Sequence, residues 1–128
     1  MAEVKITVNP KKILENLSFV GEVISKRQTY YVYENEDEYI LMTVNRSKEN
    51  SFNFNIVSKD ASEYVKKSFS GREKLTTAEL AKESKKPALI KGTFDALNIL
   101  YALCAVGDAK IDRRYKGRTL YFNVRSRK

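Results

Sequence analysis

Between Phe94 and Val106 only Asp95 and Asn98 are polar. A helix with a single apolar stripe lies on the surface of a core, whereas one that is apolar on nearly all sides is buried on more than one. Leu97, Leu100 and Leu103 repeat along one face, and Ile99, Tyr101 and Ala102 fall on another. The second face needs cover from the N-terminal part of the chain or from a second subunit. The helix is expected over about 91–106. Gly107 then stops it, because a glycine lets the backbone leave a helix in the left-handed conformation.

What precedes this helix reads as strands. Runs at 19–26, 29–33 and 39–46 are rich in β-branched and aromatic residues, and residues 51–56 alternate strictly. The acidic stretch 34–38 is a hairpin tip, and 47–50 is a turn. Tyr30 and Val32, with Ile40, Met42 and Val44 and with Phe52, Phe54 and Ile56, supply one packed face. Tyr31, Tyr33, Tyr39 and Leu41 are left on the other. Ahead of the strands, Asn9 and Pro10 have the pattern of a helix start. Ile13, Leu14 and Leu17 give that helix an apolar stripe to about residue 18, and it is one candidate to cover the sheet.

Ser58 is placed to cap a helix over 59–69, with Ala61, Tyr64, Val65 and Phe69 facing inward. Thr76 and Glu79 have capping-box spacing at the start of a helix over 77–84. Beyond Gly107, residues 109–124 read as two strands joined by a turn at Lys116-Gly117-Arg118. The chain is thus expected to be α+β. Residues 1–58 form a helix-and-sheet module, and 59–128 a second unit of three helices and a two-stranded ribbon. This second half resembles the winged helix-turn-helix family. The carriers are Leu75-Thr-Thr-Ala-Glu-Leu-Ala-Lys for the first helix of the pair and the Leu97, Leu100, Leu103 repeat for the second. Gly107 and the ribbon complete the order.

The resemblance implies binding to double-stranded DNA. In that family the second helix usually enters the major groove by its N-terminal half. Lys91, Thr93, Asp95 and Asn98 occupy that stretch here. The wing usually holds phosphate or the minor groove, and Arg113, Arg114, Lys116 and Arg118 occupy it, followed by Arg125, Arg127 and Lys128. Charge points the same way. Residues 109–128 carry eight of the chain's 24 Lys and Arg but one of its 16 Asp and Glu, and so +7 of its net charge of +8. Clustered cations beside a helix suit phosphate. A transcriptional regulator or other DNA-associated factor is the expected role. Two other readings remain: a non-catalytic subunit whose winged helix docks protein, and an RNA or single-strand binder that stacks bases on the aromatic sheet.

The chain has no histidine and one cysteine. The commonest general base is absent, and a zinc finger or Cys–His nucleophile is excluded. No catalytic residue, metal site, cofactor or small-molecule ligand is expected, and Cys104 reads as a small core residue. No run reaches the ~18 apolar residues of a membrane span, and the N-terminal residues lack the apolar region of a signal peptide. A cytoplasmic protein is expected. Surplus apolar residues on the long helix and on the second face of the sheet suggest a homodimer.

Overall fold

The computed structural model describes residues 17–26, 28–44 and 52–126. It is mixed α+β, with strands first. The strands β1 (Ser18–Ile24), β2 (Thr29–Glu34), β3 (Glu38–Val44) and β4 (Phe52–Ser58) form an antiparallel sheet in sequential order. Three helices follow: α1 (Lys59–Ser68), α2 (Thr77–Glu83) and α3 (Thr93–Ala105). Strands β5 (Ala109–Ile111) and β6 (Phe122–Val124) then pair with each other. Ser18 lies in β1, so the expected N-terminal helix does not extend that far. The rest of that helix and the 47–50 turn lie outside the described residues.

The local signals behave as their chemistry requires. Ser58 accepts from the Ala61 amide at 3.1 Å. Thr76 and Glu79 close a reciprocal capping box at 3.1 and 3.0 Å. The hairpin between β2 and β3 carries the acidic tip, where the Asn35 side chain accepts from the Asp37 and Glu38 amides. Gly107 leaves α3 at φ 86°.

The faces of the sheet differ from the expectation. Val32 pairs with Leu41, and Leu41 with Asn55. Leu41 and Tyr39 therefore share the inner face with Tyr30, Val32, Val23 and Val57. Ile40, Met42, Val44, Phe52, Phe54 and Ile56 point outward, together with Tyr31 and Tyr33. In β2 and β3 both alternating sets are apolar, and in β4 the strictly alternating apolar set Phe52, Phe54 and Ile56 faces outward while Asn53 and Asn55 share the inner face with Val57, so alternation alone did not fix the register. On the outer face Phe19, Ile24, Val44, Phe52 and Ile56 are exposed.

The inner face packs on α3. Ala96 and Asn98–Leu103 are all buried, including the Ile99, Tyr101 and Ala102 face. The four-stranded sheet supplies its cover within one chain, which removes half of the surplus that suggested a dimer. A single core runs through Val32 and Leu41 of the sheet, Val65 of α1, Leu80 of α2, Leu100 of α3 and Phe122 of β6. It is continuous across residue 58. Gly21 of β1 lies against the end of α3, where a Cβ would stand 3.1 Å from the Ala105 carbonyl oxygen. A side chain there would require the strand or the helix end to give by a few tenths of an ångström.

Two further differences concern the C-terminal ribbon. Its strands are three residues each, and residues 112–121 form a long loop instead of a tight turn at 116–118. The cause is Asp112, whose carboxylate turns back to accept from the Arg114 amide at 3.1 Å and so ends the strand. Leu75, which lies ahead of the helix expected over 77–84 and was not expected to pair, exchanges two backbone hydrogen bonds with Phe122, at 2.9 and 2.8 Å. It adds a one-residue third strand to the ribbon.

Candidate nucleic-acid interface

The loop over residues 112–121 is built around one buried carboxylate. The Asp112 side chain is 3% exposed and that of Arg114 73%. Arg114 donates to both oxygens of Asp112, through Nε at 2.9 Å and a terminal nitrogen at 2.6 Å. The amide of Asn123 donates to the same carboxylate at 3.1 Å. The Arg114 guanidinium, with the hydrogen bonds from Asn123 and the Arg114 backbone, holds the Asp112 carboxyl far below the usual carboxylate range against the effect of burial. The carboxylate stays charged at any physiological pH. The one acid of the C-terminal twenty residues is thereby enclosed, and the cations around it face outward.

The loop is also tied to the sheet. Arg113 donates to the Ile24 carbonyl at 2.6 Å. The Lys26 ammonium donates to the Gly117 and Thr119 carbonyls. Ser25 and Tyr101 are hydrogen-bonded through their hydroxyls at 2.7 Å, beneath the same β1–β2 turn. Lys116 and Arg118 stand exposed at the loop's end. The strand expected before the turn at 116–118 would have carried Arg113 and Arg114. They lie in a turn instead, one clipped to β1 and the other to Asp112.

Tyr115 and Tyr121 meet edge-to-face with ring centres 4.9 Å apart. Lys74 stands over both rings, 4.7 Å from the centre of Tyr115 and 5.4 Å from that of Tyr121. Lys74, Tyr115 and Tyr121 were not among the residues singled out from the sequence. A tyrosine set between cations in Arg114-Tyr-Lys116 was a visible signal for one ring of the pair, and nothing comparable marks Tyr121. Nothing local marks Lys26 or Lys74, which arrive through pairings across the fold.

The other expected contacts lie elsewhere. Lys91 and Thr93 are exposed at the start of α3, beside β4, whereas the loop sits against β1 and β2 across the sheet. Asn98 is 4% exposed and donates its amide to the Phe94 carbonyl at 3.1 Å. It braces the helix and is turned away from the exterior. The Asp95 carboxylate accepts from the Lys91 amide at 2.9 Å. Arg125 is exposed just after β6, and Arg127 and Lys128 lie outside the described residues. The Cys104 thiol is pushed up to about 12 by burial, which makes it a poor nucleophile. Among the described residues no helix is long and apolar enough to cross a membrane.

No protein-family profile, curated protein or solved structure matches this chain.

Proposed function

We propose that this protein is a non-enzymatic, cytoplasmic DNA-binding factor whose C-terminal half is a winged helix, and that it holds duplex DNA by its backbone through the wing. The observation that carries this is the 112–121 loop, where the only carboxylate is buried while Arg114, Lys116 and Arg118 face solvent. The order α1, the Leu75 strand residue, α2, α3, β5, β6 supports the winged-helix reading. In this reading β5 and β6 flank the wing, and Leu75 completes a three-stranded ribbon. The burial of α3 argues for sequence-tolerant contact with phosphate over base reading. A regulatory role would then need a partner or a second copy to supply site selection.

Binding to random-sequence duplexes at several salt concentrations tests this. If four to six cations meet phosphate, log K against log salt falls with a slope of about −4 to −5. A slope near zero, or no binding at low salt, removes the DNA reading.

The outer face of the sheet favours a second reading, protein docking, in which a homodimer is the simplest case. Phe19, Ile24, Val44, Phe52 and Ile56 are exposed there. Among the described residues the strands β1–β4 carry no Lys or Arg to pair with phosphate, which favours an apolar partner on this face over a nucleic acid. Sedimentation equilibrium on the same preparation separates the cases. A dimer mass supports self-association, and a monomer mass leaves the wing to bind alone.

A further inference from the structure

We infer that Lys74, Arg114, Tyr115 and Tyr121 form one preassembled unit for contacting the phosphodiester backbone, so that the binding surface includes a lysine outside the wing. This rests on the DNA reading above and deepens it. Lys74 has φ 56°, a left-handed conformation that residues with a side chain rarely adopt. Its amide donates to the Asn123 side-chain oxygen at 2.9 Å, and the Asn123 nitrogen donates to Asp112 at 3.1 Å. Asp112 in turn holds Arg114. One chain of hydrogen bonds thus fixes the backbone of Lys74 and the side chain of Arg114 together.

The rings complete the unit. Lys74 stands over Tyr115 and Tyr121, and the guanidinium carbon of Arg114 lies 5.6 Å from the centre of Tyr115. Two cations beside one ring repel each other, and the electron-rich ring faces together with the buried carboxylate offset that repulsion. Among the described residues no carboxylate lies within ion-pair distance of the Lys74 ammonium. Its charge is directed to a ligand. A lysine normally loses side-chain freedom when it binds an anion. Here the tyrosines have already restricted it. They act as positioning residues. Because cations occupy their faces, the site suits phosphate better than stacked bases.

The test is a double-mutant cycle on duplex binding as a function of salt. The proteins are wild type, Lys74→Ala, Tyr115→Leu, the double variant and Tyr115→Phe, with Lys67→Ala of α1 as control. Thermal melts check that each is folded. Lys74→Ala is expected to reduce the magnitude of the salt slope by about 0.9, the share of one phosphate, and Lys67→Ala to leave it unchanged. Tyr115→Leu should weaken binding by about two- to fivefold, the scale of an exposed cation–π contact, with the slope retained. It should add less once Lys74 is alanine, leaving only its contact with Arg114, and Tyr115→Phe should bind as wild type does. A wild-type protein with a steep slope that Lys74→Ala leaves intact overturns this inference alone, as do additive losses in the double variant. A wild-type protein that binds no duplex overturns the DNA reading and this inference with it.

Discussion

The α3 helix and the 112–121 loop are close in sequence and opposite in environment. In α3 the side chains from Asn98 to Leu103 are all buried, between the sheet on one side and the other helices on the other. In the loop the carboxylate is buried, while Arg113, Arg114, Lys116 and Arg118 are exposed. In a helix-turn-helix protein the first element would read bases and the second would steady the complex. Here the helix is core, and the loop holds the surface charge. The lesson is about layers: a sheet placed on the open side of a helix turns that helix into core, and leaves the exposed charge to whatever projects past the sheet.

The largest effect that would break this contrast is on stability. Leu100→Ala and Ile99→Ala lie on different faces of α3, and both are expected to cost roughly 2–5 kcal/mol, as buried aliphatic truncations do. Under a groove-reading helix, Ile99 would be exposed and its loss nearly silent. A urea melt of Ile99→Ala within about 0.5 kcal/mol of wild type, the range of ordinary surface substitutions, would return that face of α3 to the surface.

A pH titration sharpens the contrast. Burial pushes the Tyr101 phenol from 10.0 up to about 12. Below pH 10 both folded and unfolded chains keep the proton, and the contribution is constant. From pH 10 to about 12 the unfolded chain ionises while the folded one does not, so stability falls with rising pH, by roughly 3 kcal/mol over two units. Tyr101→Phe should make that part of the profile shallower, leaving the contribution of the Cys104 thiol, which burial also raises to about 12. A wild-type stability that holds level through this range would mean that Tyr101 is hydrated and α3 is less enclosed.

The smallest effect is the most telling for function. Lys91→Ala and Thr93→Ala, at the exposed start of α3, should leave duplex affinity within about twofold and change the salt slope by less than the ~0.9 of one phosphate contact. The same measurement on Lys116→Ala should show that full change. Equal effects at the two places would put the helix start back in the interface.

The helices and their ends were legible in the sequence because their causes are local. Ser58, the Thr76–Glu79 box and Gly107 act within one turn of the helix they bound. Burial of α3 was legible too, since only two polar residues interrupt it. The faces of the sheet were not legible. In Tyr39-Ile-Leu-Met42 both alternating sets are apolar, and only the pairing of Val32 with Leu41 decides which set faces inward. The loop was misread for a different reason. Asp112 looked like a lone acid among cations; its closure on the Arg114 amide two residues on is a local habit of Asp, whereas its contact with Asn123 comes from across the ribbon. Lys26 and Lys74 join the candidate site only through contacts across the fold.

Those long-range ties have a kinetic consequence. Arg113 is clipped to Ile24, and Lys26 to Gly117, contacts that span 89 and 91 residues. Closing so long a segment is slow compared with forming a local turn. The loop's ties within the ribbon can form early, but its attachment to the sheet is complete only once the first hairpin and the last ribbon have met. An incomplete or partly unfolded chain carries the same charges without their arrangement, so tight engagement of a ligand itself reports that the chain has folded to completion.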